Sequence, residues 1–301
     1  MNRRDFLARA GVIGCAALAP RAAPAADPRK RELKKGYFLN AFPADAKKLS
    51  LAEKFKLLKD SGFDGVEPPS HLDQEEVLRA RDACGLAIAS VSCGAHSRML
   101  ANTAPTKRAE GVEGMKQALR DAKRYGATSI LVVPGHVDER ITYAENYAWT
   151  QEGIRACVPL AEELGVKLAI ENVWNNFLLS PIEAARYVDE FKSDAVGWHF
   201  DIGNVMFLGW PEQWIRILGR RIQKIHVKEY SRKKLMSDGK AKGFAVEYLE
   251  GDNNWPAIMK ALDDIGYRGW AIAEPAWRPE GVEAGERLRQ IVVKMERIFA
   301  M

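Results

Sequence analysis

The sequence predicts an α/β protein, a single (β/α)₈ TIM barrel, on three observations. Past residue 35, eight short apolar runs alternate with stretches of helical period. The runs are near-continuously apolar, as parallel strands buried on both faces require. Residues 36–301 hold all eight strand–helix units, and such a barrel takes about 250 residues. An open doubly wound sheet would call for a Gly-rich first turn. The stretch "LNAFPADAKKL" after the first run has none.

The expected strands are, in order, "GYFLNAF" (36–42), "GVEPPS" (65–70), "LAIASVSCG" (86–94), "SILVVPG" (129–135), "KLAIENV" (167–173), "VGWHFDI" (196–202), "IQKIHVKEY" (222–230) and "GWAIAEP" (269–275). Between them, "LSLAEKFKLLKDSGF" sets Leu51, Phe55, Leu58 and Phe63 close to one helix face. "GVEGMKQALRDAKRYG", "TQEGIRACVPLAEELG", "SPIEAARYVDEF" and "NWPAIMKALDDIG" behave likewise, each read as one helix. Several start at Ser, Thr or Asn and stop at Gly, as capped helices do. The stretch from Tyr230 to Asn254 is long for a connection and is expected to act as a lid. Cys84, Cys93 and Cys157 show no CxxC spacing and read as free thiols.

Residues 1–26 read as an export leader and 27–35 as a basic linker. The leader has an arginine pair, a short apolar run and small residues near Ala25 and Ala26. Through Arg3, Arg4, Phe6 and Leu7 it resembles a twin-arginine signal. That implies recognition by the twin-arginine export machinery and a periplasmic or exported location. Lipid attachment at Cys15 in "VIGC" is the second reading. Elsewhere no run reaches the ~18 apolar residues of a membrane helix. The net charge of +5 gathers at the same end. Residues 1–35 carry nine Lys/Arg against three Asp/Glu, a net of +6. The nearly neutral remainder gives no footprint for nucleic acid.

Four expected strand ends carry a metal-capable side chain: Glu171, Asp201, His226 and Glu274. Barrel chemistry sits at C-terminal strand ends. Singly, each has an ordinary explanation, an ion pair for either glutamate or a hydrogen-bonded core imidazole for His226. Jointly, three carboxylates converging in one mouth repel strongly unless a cation joins them.

The motifs "AIEN", "FDIGN", "KIHVKEY", "GDNNWPAIMKAL" and "AIAEP" resemble those of the xylose-isomerase-like barrels. Within these they resemble the sugar phosphate isomerase/epimerase group that includes the ketose 3-epimerases. The resemblance covers the chain after the leader. It implies that Glu171, Asp201, His226 and Glu274 hold one divalent metal ion, with Glu171 and Glu274 also the acid/base pair. Hard carboxylates with one imidazole suit Mn²⁺ first, with Mg²⁺, Co²⁺ or Fe²⁺ as alternatives. Arg232, six residues past His226, falls where the ketose epimerases place a substrate-contacting arginine. Its alternative is a solvated member of the "SRKK" run. Asn204 stands where some of these epimerases carry histidine, a departure from a tagatose or psicose specificity. Glu67, His96, His136 and Lys228 lie at or just beyond strand ends and complete the candidate substrate-binding set. His199, inside a strand, reads as structural. Trp174, Trp210 and Trp277 are candidates for an apolar wall facing a sugar.

The resemblance implies a metal-dependent sugar isomerase or epimerase working through an enediolate. The leader and the absence of a phosphate loop favour a free keto-sugar or sugar derivative. The alternative is a lyase or hydratase that cleaves 3-keto-glycosides by the same enolisation. An abasic-site endonuclease would need more histidine ligands than five histidines supply. A non-catalytic sugar-binding barrel would not need both glutamates. Assembly into a homo-oligomer is left open.

Overall fold

The structure, a computed structural model, describes residues 32–276 and 281–301. The leader, with Arg3, Arg4 and Cys15, and Trp277 lie outside the described residues. Nine parallel strands form one sheet: β1 (Leu33–Phe38), β2 (Gly65–Glu67), β3 (Ala87–Ile88), β4 (Val91–Ser92), β5 (Ser129–Val132), β6 (Lys167–Glu171), β7 (Val196–Asp201), β8 (Ile222–Val227) and β9 (Gly269–Ala273). Their order is β3-β2-β1-β9-β8-β7-β6-β5-β4. The run expected as one strand over 86–94 is split. Ala89 and Ser90 part it into β3, paired with β2, and β4, paired with β5. The two ends of the sheet thus belong to one segment, and the barrel is nearly closed around it. The α/β TIM barrel expected from the eight runs is the fold observed. β1 starts at Leu33, ahead of residue 36, and Lys35 on it reaches Glu296 of the last helix at 2.6 Å.

Helices cover the outside. Leu51–Asp60 opens on a capping box between Ser50 and Glu53, and buries Phe55 and Leu58 against the sheet. The stretch read as one helix over 150–165 is two, Tyr143–Arg155 and Val158–Leu164. Pro159 explains the break. It lacks an amide proton, and its ring would collide with the carbonyl one turn back. The segment from Tyr230 to Asn254 folds into a helix, Arg232–Asp238, and a 3₁₀ turn, Lys240–Phe244. Glu229 ties it down, accepting from the amides of Leu249 and Asn253 and from Trp255 Nε1.

Register decides which side chains meet. β7 and β8 pair Trp198 with Ile222, then His199 with Lys224, so Gln223 is an extra residue on β8. The shift brings Asp201 opposite His226. Gly197 permits it: a Cβ there would lie 2.8 Å from the Arg221 carbonyl oxygen and 2.6 Å from Gln223 Cγ. Gly197→Ala is therefore expected to destabilise the fold by about 1–3 kcal/mol. Thermal unfolding checks this, and an unchanged midpoint would refute the role given to Gly197.

Candidate metal centre

The strands end at a common level. β6 ends on Glu171, β7 on Asp201, β8 carries His226 one residue from its end, and Glu274 follows β9 directly. One donor atom from each of the four lies within 4.8 Å of the others. His226 Nδ1 is 3.1 Å from Glu171 Oε1, 3.1 Å from Glu274 Oε2 and 4.0 Å from Asp201 Oδ2. Asp201 is fully buried and caps the short helix Ile202–Val205 by accepting from the Asn204 amide. Asn172 fixes its backbone, donating through Nδ2 to the Asp201 carbonyl and accepting from its amide.

Lys228 also reaches this cluster. Its Nζ donates to Asp201 Oδ2 at 3.0 Å and lies 2.8 Å from Glu274 Oε2. The charges are strongly perturbed. Burial raises the Glu171 carboxyl above its ordinary range, against the pull of His226. Burial, reinforced by Glu274 and Glu171, pushes Asp201 up to about 7 despite Lys228. Glu274 goes the other way. Burial would raise it, but Lys228 and His226 hold it below the usual carboxylate range.

A second layer lies beneath. Glu67, at the end of β2 and fully buried, accepts from His226 Nε2 at 3.0 Å. His199 sits beside them, its Nδ1 3.8 Å from Glu67 Oε2 and its ring edge-on to His226 at 4.2 Å. Burial keeps His199 well below the usual histidine range, hence neutral. Glu67 thus turns His226 so that Nδ1 faces the carboxylates. A carboxylate behind a metal-binding imidazole typically matters by 10–100-fold in metal affinity. Glu67→Gln should weaken metal binding by roughly tenfold or more, measured by calorimetry. Affinity equal to that of the unaltered protein would exclude this orienting role.

The donor set fits a hard divalent ion. Three carboxylates and one imidazole converge, and the buried Glu274 Oε2 accepts no well-directed hydrogen bond. Above them opens a cavity of about 470 Å³, with Glu171, His226, Lys228 and Glu274 on its floor.

The remaining candidates divide. Asn204 lines the cavity, its Nδ2 donating to the Asn172 carbonyl. Trp174 also lines it and donates from Nε1 to the Asn204 carbonyl. Arg232 does not. Its guanidinium donates to the carbonyls of Met206 and Gly209 and lies over the Trp210 ring. It braces the loop after β7. Trp210 is on the surface, 53% exposed. His96 turns outward from the barrel mouth, stacks on His71 at 3.8 Å and packs where Gly114 leaves room. His136 pairs with Asp138 at 3.4 Å outside the cavity lining. Glu67 lies below the cavity rather than in it. Sequence reasoning missed Asn40, Arg98 and Phe244, which line the cavity. Only the length of the Tyr230–Asn254 connection gave a signal for Phe244. Asn172 was visible in "AIEN" but had no assigned task.

Residues 55–292 match the Xylose isomerase-like TIM barrel family. The chain belongs to this family. Among curated proteins, an inosose dehydratase of Clostridium perfringens (strain 13) is 25% identical over 147 residues. That match takes in 45% of this chain and 49% of the relative, so the chain spans about half the length of the curated relatives it matches. Among solved structures, the 3-keto-D-glucoside 4-epimerase YcjR from E. coli superposes with a TM-score of 0.74 at 18% identity, over 88% of this chain and 100% of that one. A D-psicose 3-epimerase determined in the presence of D-fructose gives 0.74 at 18%, over 89% and 100%. At such identities the structures show a common fold.

Proposed function

We propose that this family member is a divalent-metal-dependent sugar isomerase or epimerase acting beside the carbonyl of a non-phosphorylated keto-sugar. One observation carries the reading. Glu171 and Glu274 flank the same imidazole nitrogen from non-neighbouring strands, and their environments push their proton affinities apart. Paired carboxyls driven in opposite directions are suited to acid and base roles. Bound by Glu171, Asp201, His226 and Glu274, a divalent ion would supply a Lewis acid for the carbonyl. Glu274, ionised beside Lys228, takes the proton from the carbon next to the carbonyl. The electron pair passes onto the carbonyl oxygen, giving an enediolate. Glu171, from its own strand, returns a proton to carbon, and the face it approaches sets the configuration. Phe244 and Trp174 give the cavity an apolar wall.

The partial match to inosose dehydratase favours a second reading, elimination from the same enediolate. The test is NMR of metal-loaded protein in D₂O with free ketoses and 3-keto-glycosides. Deuterium beside the carbonyl with an inverted carbon supports epimerisation; loss of water or aglycone supports elimination. No incorporation into any of these substrates would refute both.

We also propose export by the twin-arginine route, on the strength of Arg3 and Arg4 before an apolar run. Replacing both by lysine should retain the precursor in the cytoplasm, checked by cell fractionation. Unimpaired export through that route would refute the assignment.

A further inference from the structure

The charged groups lining the polar cavity are Glu171, His226, Lys228, Glu274 and Arg98. The first four are joined in one cluster by contacts of 2.8 to 3.1 Å. Arg98 stands apart: its guanidinium has no ion pair or hydrogen bond among the described residues. The Asn40 carboxamide and the Ser92 hydroxyl line the same cavity and are likewise without a hydrogen-bond partner among the described residues. From β8, the sheet order takes four steps to β4 in one direction and four steps to β3 in the other. Arg98, on the segment that follows β4, therefore enters the mouth from the side opposite the strand that carries His226.

The segment carrying Arg98 is held on both sides. Ser97 Oγ accepts from the Val133 amide at 2.9 Å. Leu100 is fully buried and fills the space that a side chain at Gly153 would need, a Cβ there lying 2.5 Å from Leu100 Cδ2. Gly111 makes room for the backbone: its Cβ would lie 2.9 Å from the His96 carbonyl oxygen. A guanidinium on so fixed a backbone loses less freedom on closing over a ligand than one on a loose loop. Charge adds to this. With a divalent ion held by Glu171, Asp201, His226 and Glu274, its two charges and that of Lys228 balance the three carboxylates. Beneath them Glu67 and Lys224 offset each other. What remains at the mouth is the positive charge of Arg98. A neutral sugar leaves that charge without a partner, whereas a carboxylate accepts two parallel N–H bonds from it.

We propose that Arg98 selects for a carboxylate, so that the substrate is a keto-sugar acid with its carbonyl at the metal ligands and its carboxylate at Arg98. The proposal rests on the sugar reading given above and deepens it by naming the substrate class. It follows from the division of charge within one cavity, a self-neutralising cluster on the ligand strands and a cation without a partner across from it. Asn40 and Ser92 supply hydrogen bonds to the sugar hydroxyls.

The test uses the metal-loaded full chain and calorimetry on matched probes. D-fructuronate differs from D-fructose only in a carboxylate in place of the terminal hydroxymethyl group, and methyl 3-keto-D-glucuronide differs likewise from methyl 3-keto-D-glucoside. In at least one pair the acid should bind about tenfold more tightly than the neutral sugar at low salt, and the ratio should fall as salt rises. The ratio should fall towards one in Arg98→Gln and be partly kept in Arg98→Lys. Equal affinities within both pairs, with the neutral sugars still exchanging deuterium beside the carbonyl, would overturn the proposal and leave the sugar reading standing. A preference for the acid that survives intact in Arg98→Gln would put the carboxylate elsewhere in the cavity and overturn it too. So would tighter binding of D-fructose 6-phosphate than of D-fructuronate, which would give Arg98 a phosphate instead. Failure of every probe to bind or exchange would overturn the sugar reading itself.

Discussion

Glu274→Gln is expected to lower turnover by about 10²-fold or more while leaving the fold intact. The substitution keeps size and one oxygen, so the contacts to Lys228 and His226 can persist. What disappears is the carboxylate that removes a proton in the proposed mechanism. Glu171→Gln should cost a similar factor, by removing the second carboxyl of the proposed pair. The two variants should differ in which epimer still exchanges. With one base gone, the substrate presenting its proton to the other side remains competent for exchange but not for inversion. The measurement is solvent-deuterium incorporation beside the carbonyl, followed by NMR for each variant and each epimer. Exchange at the unaltered rate in both would remove these glutamates from the chemistry.

Asp201→Asn is expected to abolish tight metal binding. The charge at the centre of the donor set goes, yet the amide oxygen can still accept from the Asn204 amide and cap the helix Ile202–Val205. Loss of metal in this variant therefore does not merely report a broken cap, a distinction that Asp201→Ala would blur. Elemental analysis after dialysis reads the outcome, and equal metal content in the two proteins would refute the assignment. The same group sets a pH dependence. Without metal, Asp201 titrates up to about 7 because it is buried near two other carboxylates. An ion must displace that proton, so affinity should rise as pH rises through about 7. The metal-free fold moves the other way. A carboxyl whose folded value exceeds its unfolded one contributes stability below the unfolded value and loses it as pH rises through the folded one. The thermal stabilisation given by metal should thus widen from about pH 6 to about pH 8. At a free metal concentration one hundred times Kd it amounts to about 2.7 kcal/mol. Differential scanning calorimetry with and without chelator measures it, and a gap that narrows with pH would contradict this account.

Much of the site was legible in the sequence because it depends on strand ends. Each of Glu171, Asp201, His226 and Glu274 stands at or near the end of an apolar run; singly each has an ordinary explanation, and it is the convergence of three carboxylates that calls for a cation. The eight runs also sufficed for the barrel, since strands buried on both faces leave a one-dimensional trace. Arg232, His96 and His136 show the limit. They lie four or five residues past a strand's last residue, where Lys228 follows β8 directly, and a loop residue's direction is set by what packs against it. Arg232 is drawn to the carbonyls of Met206 and Gly209, and His96 to His71 and the gap over Gly114. Glu67 looked like a mouth residue. Its carboxylate instead meets His226 at Nε2, the ring nitrogen other than the one that faces Glu171 and Glu274.

The sequence by itself determined the barrel and the four residues at its mouth, because hydrophobic period and strand length are local properties of the chain. Tertiary structure alone decided that the four meet. The extra Gln223 on β8, allowed by the missing side chain at Gly197, shifts the register by one residue and brings Asp201 opposite His226 rather than Ile225. Neither strand encodes that shift alone, since register is a property of the pair.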